Sequence, residues 1–324
     1  MKQYIIVLTV CITLLSGCSI HKPFSHPGLP AGNLYRDADS TGSVNSGNTG
    51  WEVFFTDPYL QKLIEKGLQN NTDMKTAHLR VEQSEAVLRM AKLAFLPSAN
   101  IPLQGVTGSF DGGKANRSYS LPVAASWEID VFGRLHNSRK RAAAALEQTK
   151  EYRQAVRTGM IAAIANIYYS LLLLDGQLEV TEQTARNWKN SMETMRELKK
   201  AGMANEAAVS QSEANYYSIE ASLHDLKYRI YGLENSLSVI LGEAPHTIER
   251  GKLDGQQLPE HLTVGIPLQT LGNRPDVKSA ELSLEQAYYA TNETRAAFYP
   301  SLTLNGSAGW TNLVGNTIVN PGSV

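Results

Sequence analysis

Two carboxylates, Glu128 and Asp130, are the first candidates for chemistry, because they share one face of a stretch in which apolar and polar residues alternate. Paired carboxylates can act as a general acid and a general base. No further catalytic pattern accompanies them: the seven histidines lack metal-ligand spacing, and there is neither a phosphate-binding loop nor a nucleophile elbow. The sequence therefore predicts no enzyme, no cofactor and no metal site.

The balance of charged residues excludes a further class of function. Lys and Arg number 30 against 31 Asp and Glu, which gives a formal net charge of −1. A nucleic-acid-binding protein usually carries a basic excess, so no nucleic-acid partner is expected. The basic residues Arg134, Arg139, Lys140 and Arg141 are interpreted as a solvated helix face.

Cys18 is the one residue for which the sequence predicts covalent chemistry. Lys2, an apolar run from Tyr4 to Leu15 and small residues before Cys18 have the pattern of a secretory signal. The segment Leu15-Ser16-Gly17-Cys18 resembles the lipobox of bacterial lipoproteins, which implies cleavage before Cys18, its acylation, and, with Ser19 next, outer-membrane sorting. The alternative is an ordinary signal peptide with a chance cysteine. We expect a signal peptide over 1–17 and a Gly-, Ser- and Pro-rich tether over 18–56.

Helices are predicted where apolar residues recur at alternating spacings of three and four, the seam of a coiled coil. Such seams predict helices over residues 73–95, 134–201 and 205–241. Only a short glycine-containing segment separates the second from the third, which predicts an antiparallel helical hairpin. Its predicted tip consists of Ala201, Gly202, Met203, Ala204 and Asn205.

One part of the long helix, 160–174, is apolar enough to be mistaken for a membrane span. It is shorter than the roughly 20 residues that a transmembrane helix needs, and it contains Asn166 and Ser170. We interpret it as the buried seam of a helical bundle.

Extended structure is predicted after Pro97, which ends the helix before it. Residues 118–131 alternate over a length sufficient for a tilted membrane-crossing strand. The apolar face carries Tyr119, Leu121, Val123, Trp127 and Ile129. The polar face carries Ser120, Ser126, Glu128 and Asp130.

Two arrangements fit this alternation. A hairpin on a small soluble core would bury its apolar face, whereas a transmembrane barrel would turn that face to lipid and the polar face to the lumen. The sequence favours the barrel, because the helices are already paired with one another and a lipid anchor holds the chain at a membrane.

The chain also contains a duplication. Residues 70–98 align without gaps to residues 273–301 at an offset of 203, with eleven identities in 29 positions. Both copies end in the same pattern, with Phe95 and Pro97 in the first and Phe298 and Pro300 in the second. We expect a first unit over 57–270 and the start of a second over 271–324.

Together, the lipobox, the duplicated helix–hairpin–helix unit, the FxPS junctions and SWEIDVFGR before a long helix resemble the TolC-like outer membrane factors, in the branch named for NodT. The resemblance implies a mainly α fold with transmembrane β: a homotrimer with a shared twelve-stranded outer membrane β-barrel and a periplasmic tunnel of helical hairpins. It implies efflux of drugs, toxic compounds or metal ions. It also implies that the tip at 201–205 meets a periplasmic adaptor, which joins an inner-membrane RND-type pump.

Two rivals remain open at this point: a periplasmic adaptor lipoprotein with a helical hairpin, and a lipoprotein enzyme on a helical scaffold. The duplication opposes the first, and the missing catalytic pattern opposes the second. We also expect a chain truncated in its second unit, with one strand there followed by a loop over NTIVNPGSV (316–324). One hairpin plus one strand cannot close a barrel.

Overall fold

The computed structural model describes residues 24–25, 50–108, 116–256, 272–313 and 316–323. Its helices are α1 (Trp51–Phe54), α2 (Pro58–Asn70), α3 (Thr72–Leu93), α4 (Arg134–Lys200), α5 (Glu206–Leu241) and α6 (Pro275–Ala296), with a 3₁₀ turn at Leu253–Gly255. Its strands are β1 (Ser98–Asn100), β2 (Gln104–Gly108), β3 (Asn116–Ile129), β4 (Leu302–Leu313) and β5 (Asn316–Ser323).

These elements form two compact units. The sheet unit contains the strands, α6 from Lys278 onward, and the parts of α3 and α4 within 81–150. The helical unit contains α1, α2, α5, the rest of α3 and α4, and the segment that follows α5. The predicted helix bounds are confirmed to within two residues, the largest difference being α3, which ends at Leu93 rather than at residue 95.

The core of the helical unit lies where α2, α4 and α5 meet. Leu60, Ile64, Ile164, Leu171 and Leu237 are fully buried there. Ile164, Leu171 and Leu237 lie on the seams expected for α4 and α5, because residues three and four apart lie on one helix face. Truncating one such leucine to alanine typically costs about 2–5 kcal/mol.

Helix α4 contains the apolar stretch 160–174, and by length and composition alone this helix is apolar enough to cross a membrane. Met160, Ile164, Leu171 and Leu174 from this stretch are buried in the core of the helical unit. The interpretation of 160–174 as a buried seam is therefore confirmed.

The sheet is antiparallel in the order β1/β2–β3–β4–β5, because β1 and β2 pair with the same side of β3 one after the other. The pairs Asn100–Ala124 and Gln104–Ser120 place Pro102 opposite Pro122. Proline has no N–H to donate to a ladder, which explains why β1 and β2 are separate strands.

The expectation of a loop over 316–324 was wrong. Asn316–Ser323 forms β5, which pairs with β4 from Asn316 opposite Leu313 to Ser323 opposite Ser307. The backbone of β4 supplies hydrogen bonds that the sequence pattern cannot reveal, and a register shift near Ser307 and Gly309 accommodates the irregular strand.

The duplication seen in the sequence has a counterpart in the fold. Helices α3 and α6 each have 22 residues, and their first and last residues differ by the same 203 positions as the sequence repeat. Each is followed by a strand of the sheet.

Candidate membrane strands and helical hairpin tip

The two helix-to-strand junctions are built alike. After α3, the N–H of Phe95 donates to Lys92 O at 3.4 Å and that of Leu96 to Leu93 O at 2.9 Å. After α6, the N–H of Phe298 donates to Arg295 O at 3.2 Å and that of Tyr299 to Ala296 O at 3.1 Å. Both helices thus close with a tight i to i+3 turn before Pro97 or Pro300, as the sequence predicted. The repeated FxPS pattern therefore encodes a repeated helix end.

The aromatic residues near the junctions differ between the copies. At the first, Trp127 Nε1 donates to Phe95 O at 2.9 Å, and the guanidinium carbon of Arg139 lies 5.6 Å from the centre of the Phe95 ring. At the second, the Phe298 side chain is 86% exposed, and the ring of Tyr299 stacks on Phe132 with centroids 4.8 Å apart. The sequence did not predict these contacts, because their partners lie far away along the chain.

The apolar face predicted for β3 is shared with β4. Trp127 pairs with Leu304 and Ile129 with Leu302, and directly paired residues lie on the same face of a sheet. Tyr119, Leu121, Val123 and Trp127 are all exposed, with Tyr119 at 58%, whereas Ile129 is half-buried. The structure thus gives the described strands an open apolar surface.

The opposite face of the sheet carries hydroxyl and amide groups. The Ser126 hydroxyl donates to Asn305 Oδ1 at 2.7 Å, and the Ser98 hydroxyl donates to Ser126 O at 3.1 Å. These residues line a concave region of the sheet with Asn100 and Ser307. Ser120 lies on the same face, opposite Gln104 of β2.

Glu128 and Asp130 are both hydrogen-bonded at the start of α4. Glu128 accepts from Arg134 Nε at 3.1 Å and from its Nη2 at 2.8 and 2.6 Å. Asp130, one residue beyond β3, accepts from the backbone N–H of Leu135 at 3.1 Å and of His136 at 2.7 Å. The carboxylate therefore satisfies free amides at the positive end of the helix. This arrangement ties the strand to the helix.

The hairpin tip is a self-contained turn. Gly202 has a φ of +74°, and the N–H of Met203 donates to Leu198 O at 2.8 Å while that of Gly202 donates to Lys199 O at 2.9 Å. This pattern is a Schellman motif, which requires a left-handed residue after the helix. Asn205 then caps α5, since its side chain accepts from Ala208 N at 2.9 Å. Ala201, Gly202 and Met203 are exposed and Ala204 is half-buried.

Ion pairs join the two helices behind the tip. Arg196 Nη2 lies 2.7 Å from Glu213 Oε1, and Lys199 pairs with Glu206. All four side chains are substantially exposed, so these pairs help to set the register of the hairpin more than its stability.

A buried polar cluster near the other end of α5 was missed in the sequence. Arg250, from the segment after α5, donates to Asp175 Oδ2 of α4 at 2.5 Å and to Glu234 Oε1 of α5 at 2.6 Å. The Glu234 side chain is only 5% exposed. Because a buried charge needs a partner, Arg250 fixes the segment after α5 to both helices. The spacing of these residues carries no signal that would have identified the cluster.

A second buried cluster surrounds the cap of α2. Asp57 is the N-cap of α2 and accepts from Tyr59 N at 2.8 Å, and it also accepts from Tyr168 Oη at 2.5 Å and Gln256 Nε2 at 2.7 Å. Burial alone would raise the pKa of Asp57, but these hydrogen bonds outweigh burial and hold the pKa below its ordinary value. Burial, followed by the bond to Asp57, raises the pKa of Tyr168, so its hydroxyl remains a donor.

Cys18 and most of the tether lie outside the described residues, so lipidation remains a prediction. Among the residues that the structure describes, no group of three or more His, Cys, Asp and Glu side chains could hold a metal ion.

Comparison with known proteins supplies the family. The profile described as "Outer membrane efflux protein" matches residues 63–243, more than half of the chain. The chain belongs to this family. The resemblance to TolC-like outer membrane factors is thereby confirmed.

Individual outer membrane efflux proteins agree with this assignment. "Cation efflux system protein CusC" of Escherichia coli O6:H1 is 29% identical over 310 residues, which are 92% of this chain and 66% of CusC. "Probable outer membrane lipoprotein SilC" of Salmonella typhimurium is 29% identical over 301 residues, 90% of this chain and 65% of SilC. This chain therefore spans slightly less than two thirds of the length of these relatives.

Solved structures confirm the fold. A crystal structure of CusC superposes with a TM-score of 0.77 at 25% identity, covering 94% of this chain and 73% of CusC. The fold is thus the TolC-like one, mainly helical with a smaller β-sheet, as the sequence predicted.

Proposed function

We propose that this protein is the outer membrane channel component of a tripartite efflux system, which exports small molecules such as drugs, toxic compounds or metal ions to the cell exterior. The observation that carries the proposal is the open apolar face shared by β3 and β4 in a chain of the outer membrane efflux protein family. A contiguous face of exposed apolar side chains is unfavourable in water and stable against lipid.

The proposed assembly is a homotrimer with one shared barrel. The described sheet has four strand positions, because β1 and β2 lie one after the other beside β3. Three such sheets supply the twelve strands of a TolC-like barrel. The bilayer core leaves no water for an open sheet edge, so pairing between copies is required for stable insertion.

Two faces of the strands have separate roles in this proposal. The residues assigned to lipid are Tyr119, Leu121, Val123, Trp127 and Ile129. The residues assigned to the lumen are Ser120, Ser126, Glu128 and Asp130. The alternation of exposed apolar and half-buried polar side chains along β3 supports this assignment.

Single-cysteine labelling of the full-length protein in outer membranes tests the two faces. A membrane-impermeant thiol reagent is expected to modify Ser120→Cys and Ser126→Cys through the lumen and to miss Leu121→Cys and Val123→Cys. The neighbouring positions are matched controls, since they differ in face and hardly in depth. Equal labelling on both faces would mean a hairpin surrounded by water, and the channel function would be rejected.

A charge placed on either face gives a second test. Val123→Arg is expected to destabilise the inserted protein by about 2–4 kcal/mol if Val123 lies near the bilayer midplane. Ser126→Arg, three residues away on the other face, is expected to be tolerated and to alter which solutes pass. Urea titration of protein folded into lipid vesicles measures both.

The proposed partners bind at the hairpin tip and at Cys18. We infer that the tip at 201–205 docks a periplasmic adaptor that joins an inner-membrane RND-type pump, because the tip is exposed and rigidly closed by its own hydrogen bonds. Acylated Cys18 would anchor the chain in the outer membrane, with the helices in the periplasm. The boundaries 57–270 for the first unit and 271–324 for the start of the second belong to the same proposal.

Cross-linking tests the docking site. A photoreactive residue in place of Met203, which is 77% exposed, is expected to capture the adaptor in cells. The same residue in place of Ser120 serves as the control and is expected to capture none. Capture at position 120 instead would reverse the proposed orientation.

A further inference from the structure

The polar face of the sheet carries almost no charge. The strand pairing assigns to this face Ser98, Asn100, Gln104, Ser120, Ser126, Thr303, Asn305 and Ser307. These eight are hydroxyl or amide residues, and the pairing adds the uncharged Pro122, Ala124 and Gly309 to the same face. At the polar-face positions of the described strands, Glu128 is the only charged residue.

That one charge is cancelled by a residue outside the strand. Arg134 holds Glu128 through three short contacts that involve both carboxylate oxygens, a two-pronged geometry that lysine cannot reproduce. The Glu128 side chain is 28% exposed and that of Arg134 41% exposed, so both face a region that water and ions reach.

The other carboxylates near this junction also have partners. Asp130 is bound by two backbone amides at the start of α4. Glu293 of α6 lies 3.1 Å from Arg141 Nε. Removal of Arg134 would therefore expose one new negative charge, on Glu128, and leave the neighbouring pairs intact.

We propose that Arg134 determines the charge selectivity of the strand-lined passage: by neutralising Glu128 it leaves the strand positions of this face without net charge, so that cationic and anionic solutes pass alike. The inference rests on the proposed channel function and on the assignment of this face to the lumen. In a trimer, each exchange at position 134 alters three charges at one level of the passage. A wall with one sign of charge would concentrate solutes of the opposite sign.

The reversal potential under a salt gradient measures this selectivity for the full-length protein in planar bilayers. Arg134→Gln is expected to shift the potential towards cation selectivity, and Glu128→Gln towards anion selectivity. The double variant is expected to return to the wild-type value, because neither charge remains. Arg134→Lys keeps the charge and is the matched control, with a potential close to wild type.

Salt dependence separates a charge effect from a change in shape. The shifts are expected to be large near 0.01 M salt, where the Debye length is about 30 Å, and to vanish near 1 M, where it is about 3 Å. Shifts that persist at high salt would overturn the inference, and so would single variants that leave the potential of a conducting channel unchanged. A wild-type trimer that inserts without conducting would instead reject the channel function itself. The failure of the inference, which requires a conducting channel, is therefore distinguishable from the failure of the proposed function.

A second readout does not depend on conductance through the rest of the channel. Ser126→Cys lies close to Glu128 on the same face, and its rates of reaction with a cationic and an anionic thiol reagent can be compared. We expect similar rates with Arg134 in place and a ratio shifted towards the cationic reagent in the Arg134→Gln background. An unchanged ratio in folded trimers contradicts the proposal.

Discussion

Gly309 of β4 lies directly opposite Pro122 of β3, so close that a Cβ atom at position 309 would stand 2.5 Å from the Cα atom of Pro122. The same added atom would lie 2.8 Å from Leu121 O. These neighbours are backbone atoms of a paired strand, which cannot rotate away as a flexible side chain would. Gly309 therefore allows β3 and β4 to pair across a proline.

Gly309→Ala is expected to weaken the sheet by about 1–3 kcal/mol, as overpacking usually does. Gly306→Ala is the matched control, because a Cβ atom there would meet nothing within 4 Å. Urea unfolding of both variants in lipid vesicles gives the comparison. Equal midpoints for the two would show that the strands can separate enough to admit the methyl group.

The hairpin tip makes a prediction about backbone conformation alone. Gly202 has a φ of +74° with nothing within 4 Å of an added Cβ atom, so Gly202→Ala is expected to cost about 1–2 kcal/mol through the left-handed conformation. Gly202→Asn should cost less, since asparagine tolerates this region. Gly232→Ala within α5 is the control and is expected to stabilise the helix by about 1 kcal/mol. Thermal unfolding of the three variants ranks them.

The buried ion cluster around Arg250 predicts a large loss of stability. Arg250→Met leaves Glu234 charged and buried, which typically costs about 3–5 kcal/mol. Replacing both residues, as in Arg250→Met with Glu234→Leu, should recover most of that loss. Arg196→Met breaks an exposed ion pair with Glu213 and should cost at most about 1 kcal/mol. If Arg250→Met and Arg196→Met were equally stable, the burial of Glu234 would add nothing to the cost of losing its partner.

Asp57 predicts a pH dependence with a definite sign. Its pKa is lower in the folded protein than in the unfolded chain, so it stabilises the fold above the unfolded value of about 3.9 and ceases to do so as the pH falls through the folded value. The stability difference between wild type and Asp57→Asn should thus be greatest at neutral pH and shrink in acid. The exposed Asp254→Asn should show a smaller difference. Urea midpoints from pH 7 down to pH 3 provide the test.

The lipid anchor is predicted from the sequence alone. Mass spectrometry of the mature protein should find Cys18 as an acylated N-terminal residue, and Cys18→Ser should abolish both acylation and cleavage at this position. Acyl chains bind membranes through many buried methylenes, so the variant should also lose anchoring before its strands insert. An unmodified N-terminus elsewhere would rule out the lipoprotein assignment.

Local patterns predicted most of the regular elements. The seam residues of α4 and α5, the helix ends at Pro97 and Gly202, and the alternation along β3 depend on neighbours a few residues apart, and all were confirmed. The pairing of β3 with β4 joins Trp127 to Leu304, and no local pattern contains that information. Strand β5 was missed for a related reason, since Ile318 and Val319 are adjacent and Pro321 interrupts the segment. This segment is a strand because it pairs with β4.

The contacts at the candidate sites are also of two kinds: local ones, which the sequence can predict, and ones between distant residues, which it cannot. Asn205 and Asp57 were predictable as caps, because a cap acts on backbone two or three residues away. The contacts of Arg250 with Asp175 and of Tyr168 with Asp57 span 75 and 111 residues. The sequence placed Glu128 and Asp130 on one face but did not anticipate that Arg134 and the amides of α4 would occupy them.

The facing prolines Pro102 and Pro122 also affect how readily the chain aggregates before it reaches a membrane. A long, regular sheet edge in water is a template on which other chains add strands and aggregate. The break between β1 and β2 leaves only three- and five-residue runs along this edge. A chain bound for the outer membrane must cross an aqueous compartment unaggregated, and an interrupted edge makes such a crossing safer.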